Sequence, residues 1–204
     1  MYIVFEGIVG TGKTTQSKKL FEYLKDKYPD KKIIWTREPG GTEISEAIRN
    51  VVQGTKFKEE MEPVCEAYLY AASRAQSLRT IVKPVLDEGG VVISDRSVLT
   101  SLTNQAFGRK LDFDVAYEIN KIAVGNIWPT HIIFIDLPLD TGLQRAFDTK
   151  GDKFESLGLD FYTKVRQGYD FVSKHKLFKD KFFCIDGVGA INEVFERIKN
   201  ALGF

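Results

Sequence analysis

Gly7-Ile8-Val9-Gly10-Thr11-Gly12-Lys13-Thr14 is the stretch whose reading decides the fold. It satisfies the pattern G-x-x-x-x-G-K-[ST], follows directly on the apolar run Tyr2-Ile-Val-Phe5, and opens into a segment of helical spacing from Thr14 to Lys27. A strand, a glycine-rich turn and a helix in that order form a phosphate cradle. Glycines let the backbone curl so that successive N–H groups point inward, and the helix adds its positive N-terminal end to the same anion. The reading places Gly7, Ile8, Val9, Gly10, Thr11, Gly12, Lys13, Thr14 and Thr15 around a triphosphate, with Lys13 on its β- and γ-groups and the Thr14 hydroxyl on Mg²⁺. A dinucleotide-binding turn fits less well, because Thr15 stands where its third glycine is needed.

Outward from the cradle, short β-branched and aromatic runs recur at Ile33 to Thr36, Val91 to Ser94, His131 to Ile135 and Phe182 to Ile185. Between them, Glu43 to Val52, roughly Glu60 to Glu88, and Phe113 to Asn126 carry apolar residues three or four apart. Continuous apolar strands alternating with helices predict a three-layer α/β fold of the P-loop NTPase kind, a five-stranded parallel sheet with five buried strands and helices on both faces. With 43% apolar side chains, 204 residues suffice for one substantial core, and no repeat or Gly/Ser linker divides the chain. Residues 1–204 are therefore expected to form one domain. The Lys-rich stretch Lys174 to Lys181 reads as a solvated loop or helix end.

Twenty-nine Lys plus Arg against 28 Asp plus Glu leave a net charge of +1, so no global field draws the chain to nucleic acid or to an anionic membrane. Phosphate recognition must come from local charge. Cys65 and Cys184 lack both disulfide-framework and metal-ligand spacing, and the N-terminus runs straight into the first strand. A cytoplasmic protein without leader or membrane span is expected. Asn120-Lys121 is followed by Ile122-Ala123 rather than by a guanine-reading aspartate, and Asp95-Arg96-Ser97 lacks a following switch glycine, which argues against a GTPase switch.

Thr36-Arg-Glu-Pro-Gly-Gly-Thr42, Tyr70-Ala-Ala-Ser-Arg-Ala-Gln76 and Asp95-Arg96 together resemble the signatures of the thymidylate kinase family, in order and in approximate spacing. The resemblance covers nearly the whole chain. It implies transfer of the ATP γ-phosphoryl group to dTMP, giving dTDP and ADP. It implies that Arg37 and Arg96 hold the monophosphate, that Tyr70 stacks on the base, and that Arg74 donates hydrogen bonds to it. Gln105 falls near another base contact, and Ser97 and Asn104 stand near family tyrosines. Such an acceptor is already ionised at neutral pH, so the chemistry asks for positive charge rather than for a strong base. Asp95, at the carboxyl end of the third strand, is expected to position Mg²⁺. The family is usually a homodimer packed through helices, and the apolar helix after Glu60 is a candidate face.

Water must be excluded during transfer, which calls for a basic lid. Residues 145–155 look like a shortened form of the family lid, with Arg145, Lys150 and Lys153, and further on Arg166, as candidates for the charge that no basic residue before Lys13 supplies. Two departures concern the sugar: Val9 replaces the acid that the family usually directs at the 3′-hydroxyl, and Ser97 replaces a frequent tyrosine. These leave open another acceptor, such as dUMP or a purine monophosphate, and a nucleotide-binding protein without turnover.

Overall fold

The computed structural model describes residues 1–54, 57–147 and 157–204. Five strands, β1 (Tyr2–Glu6), β2 (Ile33–Arg37), β3 (Val91–Asp95), β4 (His131–Asp136) and β5 (Phe182–Asp186), form one wholly parallel sheet in the order β2-β3-β1-β4-β5. Each begins where the apolar run predicts and extends one residue further, and all five added residues are charged. Glu6, Arg37, Asp95, Asp136 and Asp186 close the strands. Charged side chains are thereby gathered at the carboxyl edge of the sheet, where ligands of open α/β sheets bind.

Only the three inner strands are buried throughout most of their length. On the edge strands, Ile33, Ile34 and Trp35 are half-buried and Cys184 is exposed. The expectation of five buried strands is thus corrected. An edge strand has one neighbour instead of two, and helices cover its faces incompletely.

Alternation along the inner strands sends side chains to opposite faces. Val4, Val92, Ile132 and Phe134 join one core with α3 (Pro63–Ser77), α5 (Val98–Thr103), α6 (Phe113–Val124) and α8 (Gly158–Lys174). Ile3, Phe5, Ile93, Ile133 and Ile135 join a second with α1 (Lys13–Lys27) and α9 (Ile191–Leu202). Three further helices are α2 (Glu43–Val52), α4 (Lys83–Asp87) and α7 (Leu139–Phe147). The Lys-rich stretch ends α8 and makes a short turn, but Phe178 within it is 2% exposed and anchors it to the core.

The long helical segment from Glu60 starts later than its spacing suggests, because Glu62 precedes a proline and adopts an extended ψ of 137°. It then loosens into a π-turn over Leu78–Val82, where the Lys83 N–H donates to Leu78 O. Pro84 supplies the reason, since it has no N–H and its ring crowds the preceding turn. A second π-turn, Asn104–Gly108, follows α5, and there the Arg109 N–H donates to Asn104 O.

Candidate active site

The loop between β1 and α1 departs from ordinary backbone at Gly10 and Gly12, whose φ angles are 76° and 86°. Gly10 also passes so near α7 that an added Cβ would lie 1.9 Å from Gly142 O, so only glycine fits. The Thr11 hydroxyl donates to Ile8 O at 3.1 Å, and the Lys13 ammonium folds back onto Ile8 O and Thr11 Oγ1. Burial strips water from that ammonium and the Arg96 charge repels it, so the pKa falls to about 7 although Asp95 and Glu6 pull the other way. The buried Lys13 nitrogen is thus held by neutral oxygens rather than by a carboxylate.

Register puts the opposite wall in place: Asp95 pairs with Phe5 on one side and with Arg37 on the other. The Thr14 hydroxyl donates to Asp95 Oδ2 across the floor of the cleft. Arg96, next along, holds a left-handed φ of 72°, with its N–H on Phe5 O and its guanidinium on Thr100 Oγ1 at 3.3 Å.

A cleft of about 490 Å³ runs over these groups, and Gly7, Ile8, Val9, Gly10, Gly12, Lys13, Thr14, Thr15, Arg37, Tyr70, Asp95, Arg96, Asn104 and Arg145 all line it. Thr11 of the same loop is buried and does not line the cleft. Arg37 meets Glu46 in a forked pair, with Nη2–Oε2 at 2.8 Å. Lys150 and Lys153 lie outside the described residues. Arg166 points away, gripping Asp136 at 2.7 Å and also pairing with Asp170.

Three of the expected substrate contacts do not reach the cleft wall. Arg74 is 3% exposed and donates to Glu38 at 2.7 Å, to Ser97 O at 3.2 Å, to Ser101 Oγ at 3.1 Å and to Asn120. Ser97 gives its hydroxyl to Glu6 at 2.6 Å and caps α5. Gln105 donates to Glu66 at 3.0 Å. The π-turn accounts for the parting of neighbours here, since it re-aims the helix face at the step where Asn104 enters the cleft and Gln105 turns inward.

Other lining groups escaped the motif reading. Arg49 on α2 and Gln53, which caps its C-terminus one turn later, face the cleft, with Gln53 Nε2 on the Tyr70 hydroxyl at 3.2 Å. Thr100 and Tyr162 complete that side. The strong amphipathy of Glu43 to Val52 carried a signal for Arg49, because its Thr42 cap fixes the phase of the helix.

Hard oxygen donors at Thr14 and Asp95, with room for phosphate oxygens and water, fit Mg²⁺, which keeps several waters and needs few protein ligands. A glycine-rich P-loop, an oxygen-lined floor and facing arginines in one cleft are the parts of a P-loop nucleotide kinase.

Comparison with known proteins narrows the class. The thymidylate kinase family model matches residues 5–198. The thymidylate kinase of Thermosipho africanus is 38% identical over 200 residues, covering 98% of this chain and 96% of that protein. That of Prochlorococcus marinus (strain NATL2A) is 36% identical over 205 residues, covering 98% and 97%. The crystal structure of thymidylate kinase from Ehrlichia chaffeensis superposes with a TM-score of 0.80 at 28% identity, covering all of this chain and 98% of the other. The chain belongs to the thymidylate kinase family, and is an ATP-dependent nucleoside monophosphate kinase.

Proposed function

We propose that residues 1–204 work as one kinase domain that passes the γ-phosphoryl group of ATP to dTMP, giving dTDP and ADP, with the division of labour set out here. The observation that carries it is a single cleft lined by the P-loop on one side and by Arg37, Tyr70 and Arg96 on the other. Loop amides and Lys13 hold the ATP phosphates, Thr14 and Asp95 hold Mg²⁺, and the metal offsets charge between the two anions. Arg37 and Arg96 grip the acceptor phosphate as planar forks. Tyr70 stacks on thymine. Arg74 acts on the base side by fixing Glu38 and the α5 turn.

Arg145, on the wall of the cleft, adds positive charge to the ATP phosphates. The Val9 side chain offers the sugar no hydrogen bond and the Ser97 hydroxyl is committed to Glu6, so base and phosphate contacts carry acceptor selectivity. No helix among the described residues is long and apolar enough to cross a membrane, and both cysteines are free thiols. A reducing cytoplasm suits such a chain. We further assign the exposed α3–α6 face to a homodimer contact.

A coupled ADP-release assay with a panel of nucleoside monophosphates tests the reading. Turnover is expected to be fastest with dTMP and to fall at least about 100-fold in Lys13→Ala and Arg96→Ala. An equal or faster rate with a purine monophosphate overturns the acceptor, and full activity in both variants overturns the residue roles.

A further inference from the structure

Glu6 ends β1 immediately before the P-loop, has no solvent exposure, and is absent from the cleft wall. Its carboxylate accepts three hydroxyls from separate parts of the chain: Ser97 at 2.6 Å, Thr100 at 2.7 Å and Tyr169 of α8 at 2.8 Å. A carboxylate buried at such a place needs this many donors, since desolvation alone would neutralise it. Burial does push the Glu6 carboxyl above its usual range, and the Ser97 and Thr100 hydroxyls and the Arg96 charge pull it back.

The Thr100 oxygen receives the Arg96 guanidinium at 3.3 Å on its other side. Arg96 itself is a non-glycine residue at φ 72°, a conformation that persists only when its surroundings over-determine it. Its N–H is fixed to Phe5 O and its carbonyl to the Ser94 hydroxyl at 2.8 Å, so the backbone is held at both ends. The side chain is located by the chain of bonds that ends on Glu6.

We propose that Glu6 is a positioning residue for Arg96, holding the guanidinium through the Thr100 hydroxyl at the place where the acceptor phosphate is gripped. This rests on the acceptor-phosphate role given to Arg96. Glu6 touches no substrate; it supplies a fixed negative anchor that an amide cannot reproduce, because glutamine offers one oxygen to three hydroxyls and no charge.

The test is a double-mutant cycle on dTMP affinity, measured by titration calorimetry without ATP. Glu6→Gln and Arg96→Ala are each expected to weaken dTMP about 10-fold or more, and the double variant to bind within about twofold of Arg96→Ala alone. Thr100→Val, which cuts the same chain while leaving the charge, gives the same non-additive cycle and decides the matter if Glu6→Gln does not fold. Wild-type affinity in Arg96→Ala overturns the role of Arg96 itself. Wild-type affinity in both Glu6→Gln and Thr100→Val, or losses that multiply with that of Arg96→Ala, overturns the positioning role while leaving Arg96 in place.

Discussion

The Thr14 hydroxyl donates its proton to Asp95 Oδ2, tying the first turn of α1 to the carboxyl end of β3. The bond leaves the Thr14 lone pairs and the second carboxylate oxygen open to the Mg²⁺ proposed there. Asparagine at 95 preserves the acceptor oxygen but removes the charge. Asp95→Asn is therefore expected to keep the fold, to lower kcat by about 100-fold, and to raise the Mg²⁺ concentration for half-maximal rate. Rates across a Mg²⁺ titration check this, and an unchanged Mg²⁺ dependence removes Asp95 from the metal site.

Lys13 is 6% exposed, with its charge disfavoured by burial and by Arg96. In the role proposed for Lys13, a desolvated ammonium serves phosphate binding at the expense of the ligand-free fold, as functional groups often do. Lys13→Met fills a similar volume without the charge. Its expected phenotype is loss of turnover with a melting temperature, in the absence of nucleotide, equal to or above that of the wild type. Calorimetric scans decide, and a fall of several degrees shows instead that the bonds to Ile8 and Thr11 stabilise the loop.

The strands, their parallel sense and the cradle were legible in the sequence because each has a local cause, apolar runs for the strands and glycines with a following helix for the loop; the strand order was not read. Glu6 drew no reading from the sequence, since its three donors come from residues 97, 100 and 169. Motif matching brought Arg74 and Gln105 toward the base, but their orientation depends on long-range partners, Glu38 and Asn120 for one and Glu66 for the other. A pattern of residue types reports which side chains share a helix face. It does not report which acceptor, forty residues away, each one meets.

His131 opens β4 with its ring stacked on Phe183, 5.9 Å between centroids, and its pKa is lowered by burial and then by the nearby N-terminal ammonium. The folded chain thus binds a proton less readily than the unfolded chain. Stability from this group is complete above the unfolded value near 6.5 and declines as pH falls through it toward the lower folded value. His131→Gln is expected to flatten the decline in melting temperature between about pH 7 and pH 5. Denaturant midpoints at matched pH values provide the check, and identical slopes in the two proteins rule out His131 as a contributor.

The α3–α6 face carries Tyr68 at 60% exposure and Ile122 at 78%, beside Val64 and Val115. Ala71, Ala72 and Ala75 leave a shallow apolar groove between them. Exposure of that much contiguous apolar surface favours self-association, and a two-fold contact would set the same patch on both partners. Ile122→Glu places two like charges near the axis of such a contact. The wild type is expected to sediment at twice the chain mass at micromolar concentration and Ile122→Glu at the chain mass, with its far-ultraviolet dichroism unchanged. Tyr70 and Arg74 rise from the same helix α3, so the monomer should also show a raised KM for dTMP at an unaltered KM for ATP. A monomeric wild type, or a dimer that survives the glutamate, assigns this face to something other than a second copy of the chain.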